Sequence, residues 1–422
     1  MKASVLKTEK RQESRIEALL KIQTNGEKND YPQRVIEILD SSVTGSGCVR
    51  VYQKFIQGRG FNVEEFFRAI INGKGQTPDY LLTQVSDDFA RLGGLTLHIN
   101  YNALYEAVEI QHIPFETVRL EKLDDKYICN RVAIHPDWGK RNLKIRKFNH
   151  EDIDFIHFYN PDPKQIALEV EEAGGWDKYK GQVFYFSNRG DKVYSLPIFD
   201  SELTDMNTEE GLSNIKNRNT RNNFLPSGMV VDYGAESEGG KDEDAAKKEL
   251  TEFQGDMKVG KLMYVKVLNK DETPTFVPFK SNNYDKDFTE TEKSCKDNIG
   301  RVFNQPPILR AEDVGANFGS DLMENAYSFY NSITEGERND IESVFRSIFE
   351  HWYDQSINPD QDYSIIPREY NVKKTLAERL GDNTDKVFEI INSTEYSDPK
   401  KKNILSILFG MSDDDITLLI QK

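Results

Sequence analysis

Between positions 197 and 356 the chain alternates a polar helix, an excursion of strands, a second helix, a Pro-Pro loop and a long amphipathic helix, and this order constrains the fold most. The helix predicted over residues 201–224 has only Leu203, Met206, Leu212, Ile215 and Phe224 as large apolar residues, too few to bury a full stripe in a core. Such a helix is expected to draw support from neighbouring copies and to form a wall, not a pocket. It carries Glu202, Asp205, Glu209 and Glu210 in its first half and Lys216, Arg218 and Arg221 in its second, the polarity a helix dipole favours. At about 1.5 Å per residue it would run roughly 36 Å, although Gly211 and repeated Asn lower its intrinsic stability. Leu225-Pro226-Ser227-Gly228 stops it and Met229-Val230-Val231 opens a strand. Phe303-Asn304-Gln305-Pro306-Pro307 later breaks the second helix, before a third begins near Leu322.

With 422 residues, 37% of them hydrophobic, the chain is long enough for two or three packed domains. The first thirty residues interleave Lys and Arg with Glu9, Glu13 and Glu17, which predicts a charged, frayed helical tail with no signal peptide and order beginning near Tyr31. No apolar run approaches the roughly 18 residues of a membrane span, so the chain is expected neither to span nor to anchor. Cys48, Cys129 and Cys295 lie far apart with no C-x-x-C pair, which indicates neither a zinc knuckle nor a disulfide framework and suits a reducing compartment. Lys+Arg 55 against Asp+Glu 71 gives a net charge of −16, against a protein that grips phosphates tightly but compatible with one that lets DNA slide past.

Helices are predicted over residues 34–40, 48–57 and 77–93, the last from Tyr80, Leu81, Leu82, Val85, Phe89 and Leu92 at helical spacing. Between Leu95 and Pro197 the pattern shifts to β-branched and aromatic runs at residues 95–99, 107–113, 118–120, 127–134, 155–159 and 183–187. These read as antiparallel strands separated by turn signals such as His135-Pro136-Asp137 and Gly174-Gly175. The mixture is α+β. Residues 232–287 read as a small appendage with a helix at 245–253, a strand at 262–268 and an extension at 273–279. Thr289-x-x-Glu292 and Asp321-x-x-Glu324 have the spacing of helix starts. Ile341, Val344, Phe345, Ile348, Phe349 and Trp352 form a core face, and Thr334-Glu335-Gly336-Glu337 marks a kink or restart. Beyond Val372 short helices follow, with turns at residues 381–383 and 397–399.

Residues 255–262 copy the spacing of a phosphate-binding loop up to Lys261, but Leu262 stands where Ser or Thr must ligate magnesium and a strand follows where a helix is needed. His98, His112, His135, His150, His157 and His351 include no His-x-x-x-His pair, and there is no Gly-x-Ser-x-Gly elbow. No catalytic residue, metal or cofactor is expected, and the chain is not expected to be an enzyme.

Tyr31-Pro32-Gln33-Arg34-Val35 followed by Phe55-Ile56-Gln57-Gly58-Arg59-Gly60-Phe61 resembles the N-terminal opening of bacteriophage portal proteins, the head-to-tail connectors of tailed double-stranded DNA phages. Ile113-Pro114-Phe115-Glu116-Thr117-Val118-Arg119 resembles their strand-region motif. Pro197 before the polar helix and Phe224-Leu225-Pro226-Ser227-Gly228 after it match the helix leading into the clip of that family. Phe303-Asn304-Gln305-Pro306-Pro307 resembles its Phe-x-x-Pro-Pro element, with Asn304 and Gln305 in place of the usual Gly and aliphatic residue.

The resemblance implies a portal fold. It has a charged tail at 1–30, an α/β wing at 31–200, a stem helix at 201–224, a small α/β clip at 225–287 and a second stem helix at 288–304. A tunnel loop follows at 305–320, a long helix returning to the wing at 321–375, and a helical crown at 376–422. It further implies a ring, typically of twelve subunits, at one capsid vertex of the virion, assembled in the host cytoplasm, through which DNA is packaged and ejected. The implied partners are the large terminase subunit, a head-tail adaptor, the major capsid and scaffold proteins and the DNA in transit, with no membrane. Arg310, Glu312, Asp313 and Asn317 would line the tunnel, and Phe303, Pro306 and Pro307 would shape the loop. Lys216, Arg218 and Arg221 would either touch phosphates weakly or pair with acids of a neighbouring subunit. Twelve copies at −16 each would total −192, a repulsive wall that keeps friction on DNA low. The rival readings are another viral ring or adaptor, a metal-dependent nucleic-acid-processing enzyme, or a monomeric binding module.

Overall fold

Leu20 and Ile22 turn the N-terminal segment from a tail into part of the fold. The computed structural model of the protein describes residues 14–138, 150–221, 229–233, 263–267, 284–310, 320–370, 384–393, 397–409 and 416. In it Ile16–Glu17 (β1) and Ile22–Gln23 (β2) form an antiparallel hairpin, and β2 pairs with the strand at 118–121. Leu20 and Ile22 are buried with Ala133, Trp138 and Ile153. The expected frayed helix is therefore absent from residues 14–30, because two apolar side chains close one edge of a sheet and their backbone is held there. Tyr194 donates to Gln23 O at 2.5 Å, and Lys122 N donates to Lys21 O at 2.8 Å.

The helices Tyr31–Ser41 (α1), Val43–Gln57 (α2), Glu64–Arg68 (α3) and Pro78–Leu92 (α4) follow. Thr77 starts α4 as its sequence suggests, accepting from Tyr80 N. The α2 helix begins at Val43, earlier than predicted, because Ser42 caps it by accepting from Gly45 N at 2.9 Å. Gly45 also leaves room for a neighbour: a Cβ there would meet the Met206 sulfur at 3.0 Å.

Gly94–Tyr101 (β3), Ala107–His112 (β4), Val118–Glu121 (β5), Arg131–Ile134 (β6), Asp154–Phe158 (β7) and Gln182–Ser187 (β8) fall on the six predicted runs. With the N-terminal hairpin they form one sheet, ordered β1-β2-β5-β6-β7-β8-β3-β4. Alternation along the strands splits the core: Val132 and Ile156 face a cluster with Leu120 and Tyr194, whereas Ala133 and Phe155 face Trp138. One joint departs from the antiparallel expectation. Strands β7 and β8 run parallel, His157 opposite Gln182 and Phe158 opposite Val183, because helix Pro163–Ala173 (α5) carries the chain back between them, as a parallel pair requires.

A second helix pair follows: Leu203–Arg221 (α6) and Tyr284–Val302 (α7), separated in sequence by Met229–Tyr233 (β9) and Met263–Val267 (β10). Strands β9 and β10 pair in parallel. The helix predicted at 245–253, the extension at 273–279 and the near-miss phosphate loop lie outside the described residues, as does the turn at 381–383. Thr289 lies inside α7, five residues past its start. The third predicted helix is two, Ser320–Ile333 (α8) and Glu335–Phe349 (α9). Thr334 breaks them without making the anticipated cap; its hydroxyl instead donates to Tyr330 O and accepts from Arg338. The predicted apolar face of α9 is buried in the main core from Ile341 to Phe349, with Trp352 beyond it.

Arg338 also donates to Phe55 O, and Arg368 donates to Lys54 O and Gly58 O, so two cations cap the C-terminal carbonyls of α2.

The chain divides into two compact units, Met1–Phe318 with Asn325–Arg368, and Gly319–Glu324 with Glu369–Lys422. In the second, Thr384–Asn392 (α10) packs against Asp398–Phe409 (α11), and Lys401 donates to Ile391 O at 2.7 Å.

Candidate functional site

The helix pair α6–α7 is the element the sequence singles out, and its two halves differ. Asn298 donates to Asp205 at 2.8 Å and Lys216 pairs with Glu292, so the helices run antiparallel. In the proximal half Met206, Glu209 and Leu212 of α6 and Cys295, Ile299 and Phe303 at the end of α7 are buried. Glu209 enters the N-terminus of α2, where its carboxylate accepts from Ser42 Oγ at 2.5 Å, Thr44 Oγ1 at 2.6 Å and Thr44 N at 3.2 Å. An anion there satisfies an orphan amide and the helix dipole together. In the distal half no side chain from Ser213 to Asn217 or from Phe288 to Ser294 is buried. The helix thus has few buried apolar residues, as expected, yet its first half docks in its own chain and needs no neighbour.

Lys216, predicted to meet phosphates or an adjacent subunit, finds its acid within the chain. Glu292 accepts from both Lys216 and Lys296, and those hydrogen bonds hold its carboxyl below the ordinary range. Burial, reinforced by Asp205 and Glu209, pushes the Cys295 thiol up. The side chains of Arg218 and Arg221 lie outside the described residues.

The loop after α7 is built on Phe303, which is fully buried, stacks on Phe199 at 5.4 Å and meets Tyr52 edge-on at 6.0 Å. Asn304 has φ of 51°, the left-handed conformation that Gly adopts freely and Asn tolerates best among the other residues. This explains how Asn stands in a glycine position. Gln305 is buried too, its Nε2 donating to Cys48 O at 2.6 Å and Tyr330 Oη at 3.0 Å. The amide nitrogen thus finds partners on α2 and α8, while the buried Oε1 has none among the described residues. Pro307 opens a single 3-10 turn to Arg310. Arg310 is half-buried, its guanidinium lying against Gly300 where a Cβ would overlap it. Glu312, Asp313 and Asn317 lie outside the described residues.

The other resembling motifs are brought together as scaffolding. Gln33 donates to Glu116 O and accepts from Arg119, joining the opening motif to the strand-region motif. Arg119 is fully buried; it donates to Asn29 Oδ1, Asn29 O, Glu116 O and Val118 O and lies over the Trp138 ring at 5.4 Å. Burial pushes its guanidinium down to about 10. Asp88 accepts from Phe115 N at 2.8 Å and pairs with His112 at 2.7 Å. Phe61 packs on Phe66 and Phe345.

One cluster had no sequence signal of its own. Glu169 on α5 is buried and accepts from Gln165, Tyr179 and Gln182, with His157 4.0 Å away. It borders a groove lined by Glu121, Asp124, Arg131 and Glu172. The buried end of the groove is closed by satisfied hydrogen bonds: Gln182 accepts in turn from Tyr101 and Asn160 N. Among the described residues no three His, Cys, Asp or Glu side chains assemble as a metal site. No helix among them is long and apolar enough to cross a membrane.

No protein-family model matches the chain, and no curated protein does. The similar solved structures come from particle necks and a phage portal. The neck of an empty gene transfer agent particle, computed with C6 symmetry, is 13% identical with a TM-score of 0.47, over 90% of this chain and 94% of that one. The native neck computed with C12 symmetry gives 13% and 0.44 over 90% and 94%. An HK97-family phage portal protein from Corynebacterium diphtheriae gives 11% and 0.32 over 77% and 91%. With TM-scores below 0.5 these likenesses carry no argument, and the functional reading rests on the chain's own residues.

Proposed function

We propose that this chain is the repeating subunit of a portal ring at a capsid vertex, a structural channel for genome packaging and ejection. The observation that carries the reading is the α6–α7 pair. One end is locked into an α+β body by Glu209, Met206 and Ile299, while the other end shows only polar and half-exposed side chains. A helix pair of this kind fits a wall in which one face meets water and DNA and another meets a neighbour. The Phe303-to-Pro307 turn directly after it supports the same assignment, since Asn304 takes the left-handed backbone that a glycine at that position could also adopt.

In this reading the excursion between the two helices is the clip, the docking platform for the large terminase subunit and then for a head-tail adaptor. Arg310, Glu312, Asp313 and Asn317 belong to the loop facing DNA. Lys216 braces the stem through Glu292, so contact with phosphates or with a neighbour falls to Arg218 and Arg221. Electron microscopy of the purified protein tests the proposal. Rings of about twelve subunits with a central channel support it, whereas a 48.6 kDa species at all concentrations in light scattering refutes it. Arg218→Ala and Arg221→Ala in rings that still assemble test the DNA role; unchanged packaging removes it. Deleting residues 311–318 should leave rings intact and block DNA retention.

A further inference from the structure

We propose that the α6–α7 pair contains a hinge at Gly211, about which its distal half pivots while its proximal half stays fixed to the body. The fixed side ends abruptly. Glu209 is clamped to Ser42 and Thr44, Met206 is fully buried against α2, and Leu212 is the last buried side chain among the described ones of α6. On α7 the same change falls at Cys295: every described side chain from Phe288 to Ser294 is at least partly exposed, while Cys295, Ile299 and Gly300 are buried. The register set by Asp205 with Asn298 and Lys216 with Glu292 places Gly211 about level with Cys295, so both helices leave the body at one height.

Gly211 sits at that height with open space around it. A Cβ there would meet nothing within 4 Å, so neither packing nor a positive φ demands glycine. What glycine contributes at a half-buried helix interior with no neighbour to pack against is backbone freedom. Beyond it the helix continues with Asn214 and Asn217, weak helix formers, and the ion pair of Glu292 with Lys216 ties the two distal segments to each other, while Glu292 pairs with Lys296 one turn along its own helix. Their mutual attachment and the lack of buried side chains at residues 213–217 and 288–294 make these distal segments one unit, able to tilt at the glycine. The device belongs to the single chain and stands apart from the ring reading.

Hydrogen exchange of the full-length protein, read by mass spectrometry, tests the hinge with two substitutions. Gly211→Ala should slow exchange of amides 212–217 about fivefold, the equivalent of ~1 kcal/mol, and leave residues 203–209 unchanged. Lys216→Gln should speed exchange at 212–217 and 288–294 together and leave 203–209 and 295–302 unchanged. If Gly211→Ala does not slow the distal amides, or if either substitution moves both halves alike, the pair is one rigid rod and the hinge is wrong.

Discussion

Replacing Glu209 probes the joint between the helix pair and the body most directly. In Glu209→Ala the hydroxyls of Ser42 and Thr44 lose their acceptor at 2.5 and 2.6 Å but can rotate toward others. The amide of Thr44, which reaches the carboxylate at 3.2 Å, cannot. Leaving this half-buried donor orphaned falls within the roughly 1–3 kcal/mol of an unsatisfied polar group, and losing a well-placed anion from a helix N-terminus costs about 1 kcal/mol more. The predicted loss is therefore about 3 kcal/mol, a large share of the roughly 5–15 kcal/mol that a folded protein has. Glu209→Gln keeps an oxygen for Thr44 N and removes only the charge, so it should cost about 1 kcal/mol. Urea unfolding with an unchanged slope should show this order, together with faster exchange at the Thr44 amide. An alanine variant within about 0.5 kcal/mol of the parent, or a glutamine variant as costly as alanine, would refute the reasoning.

Phe303→Ala should cost about 3–5 kcal/mol, since it empties a ring-sized volume between Phe199 and Tyr52; thermal unfolding measures it. Asn304→Gly should be tolerated, whereas Asn304→Val should destabilise by about 1–2 kcal/mol because a β-branched residue resists the left-handed backbone. Arg119→Met removes the guanidinium from the Asn29 and Gln33 side chains and from three carbonyls, of which Glu116 O keeps the Gln33 amide and Asn29 Oδ1 keeps the Asn25 amide; limited proteolysis should then cut within residues 14–30 before anywhere else in the sheet, and an unchanged pattern argues against the anchor. Glu292 binds fewer protons folded than unfolded, because Lys216 and Lys296 lower its carboxyl from 4.5. Its stabilisation is thus complete above that value and fades as pH falls through the lowered folded one. Exchange at residues 288–294, corrected for its intrinsic pH dependence, should rise only below about pH 4.5.

Much of the architecture was legible because it rests on local chemistry. The six strand runs announce themselves through β-branched and aromatic residues, and α9 through the spacing from Ile341 to Trp352. What escaped depends on partners distant in sequence. The N-terminal hairpin cannot be read from Leu20 and Ile22 alone, since its stability comes from Trp138 and Tyr194. Helix α5 did leave a signal, with Asp162-Pro163 at its start, Ile166 and Val170 on one face and Gly174 after it; noticing it would have predicted the parallel joint. At the candidate site the polar helix was evident, but not that Glu209 is buried or that Lys216 is already paired, because neither Ser42 nor Glu292 is near in sequence.

The α2 helix has consequences for how the polypeptide comes off the ribosome. The Thr44 amide at its opening waits for Glu209, and its closing carbonyls wait for Arg338 and then for Arg368, which is 310 positions beyond Gly58. A rod laid down near the start of translation therefore stays unfinished until most of the message has been read. A nascent fragment stalled between Arg338 and Arg368 would have Phe55 O covered but would lack the guanidinium that the finished protein sets on Lys54 O and Gly58 O.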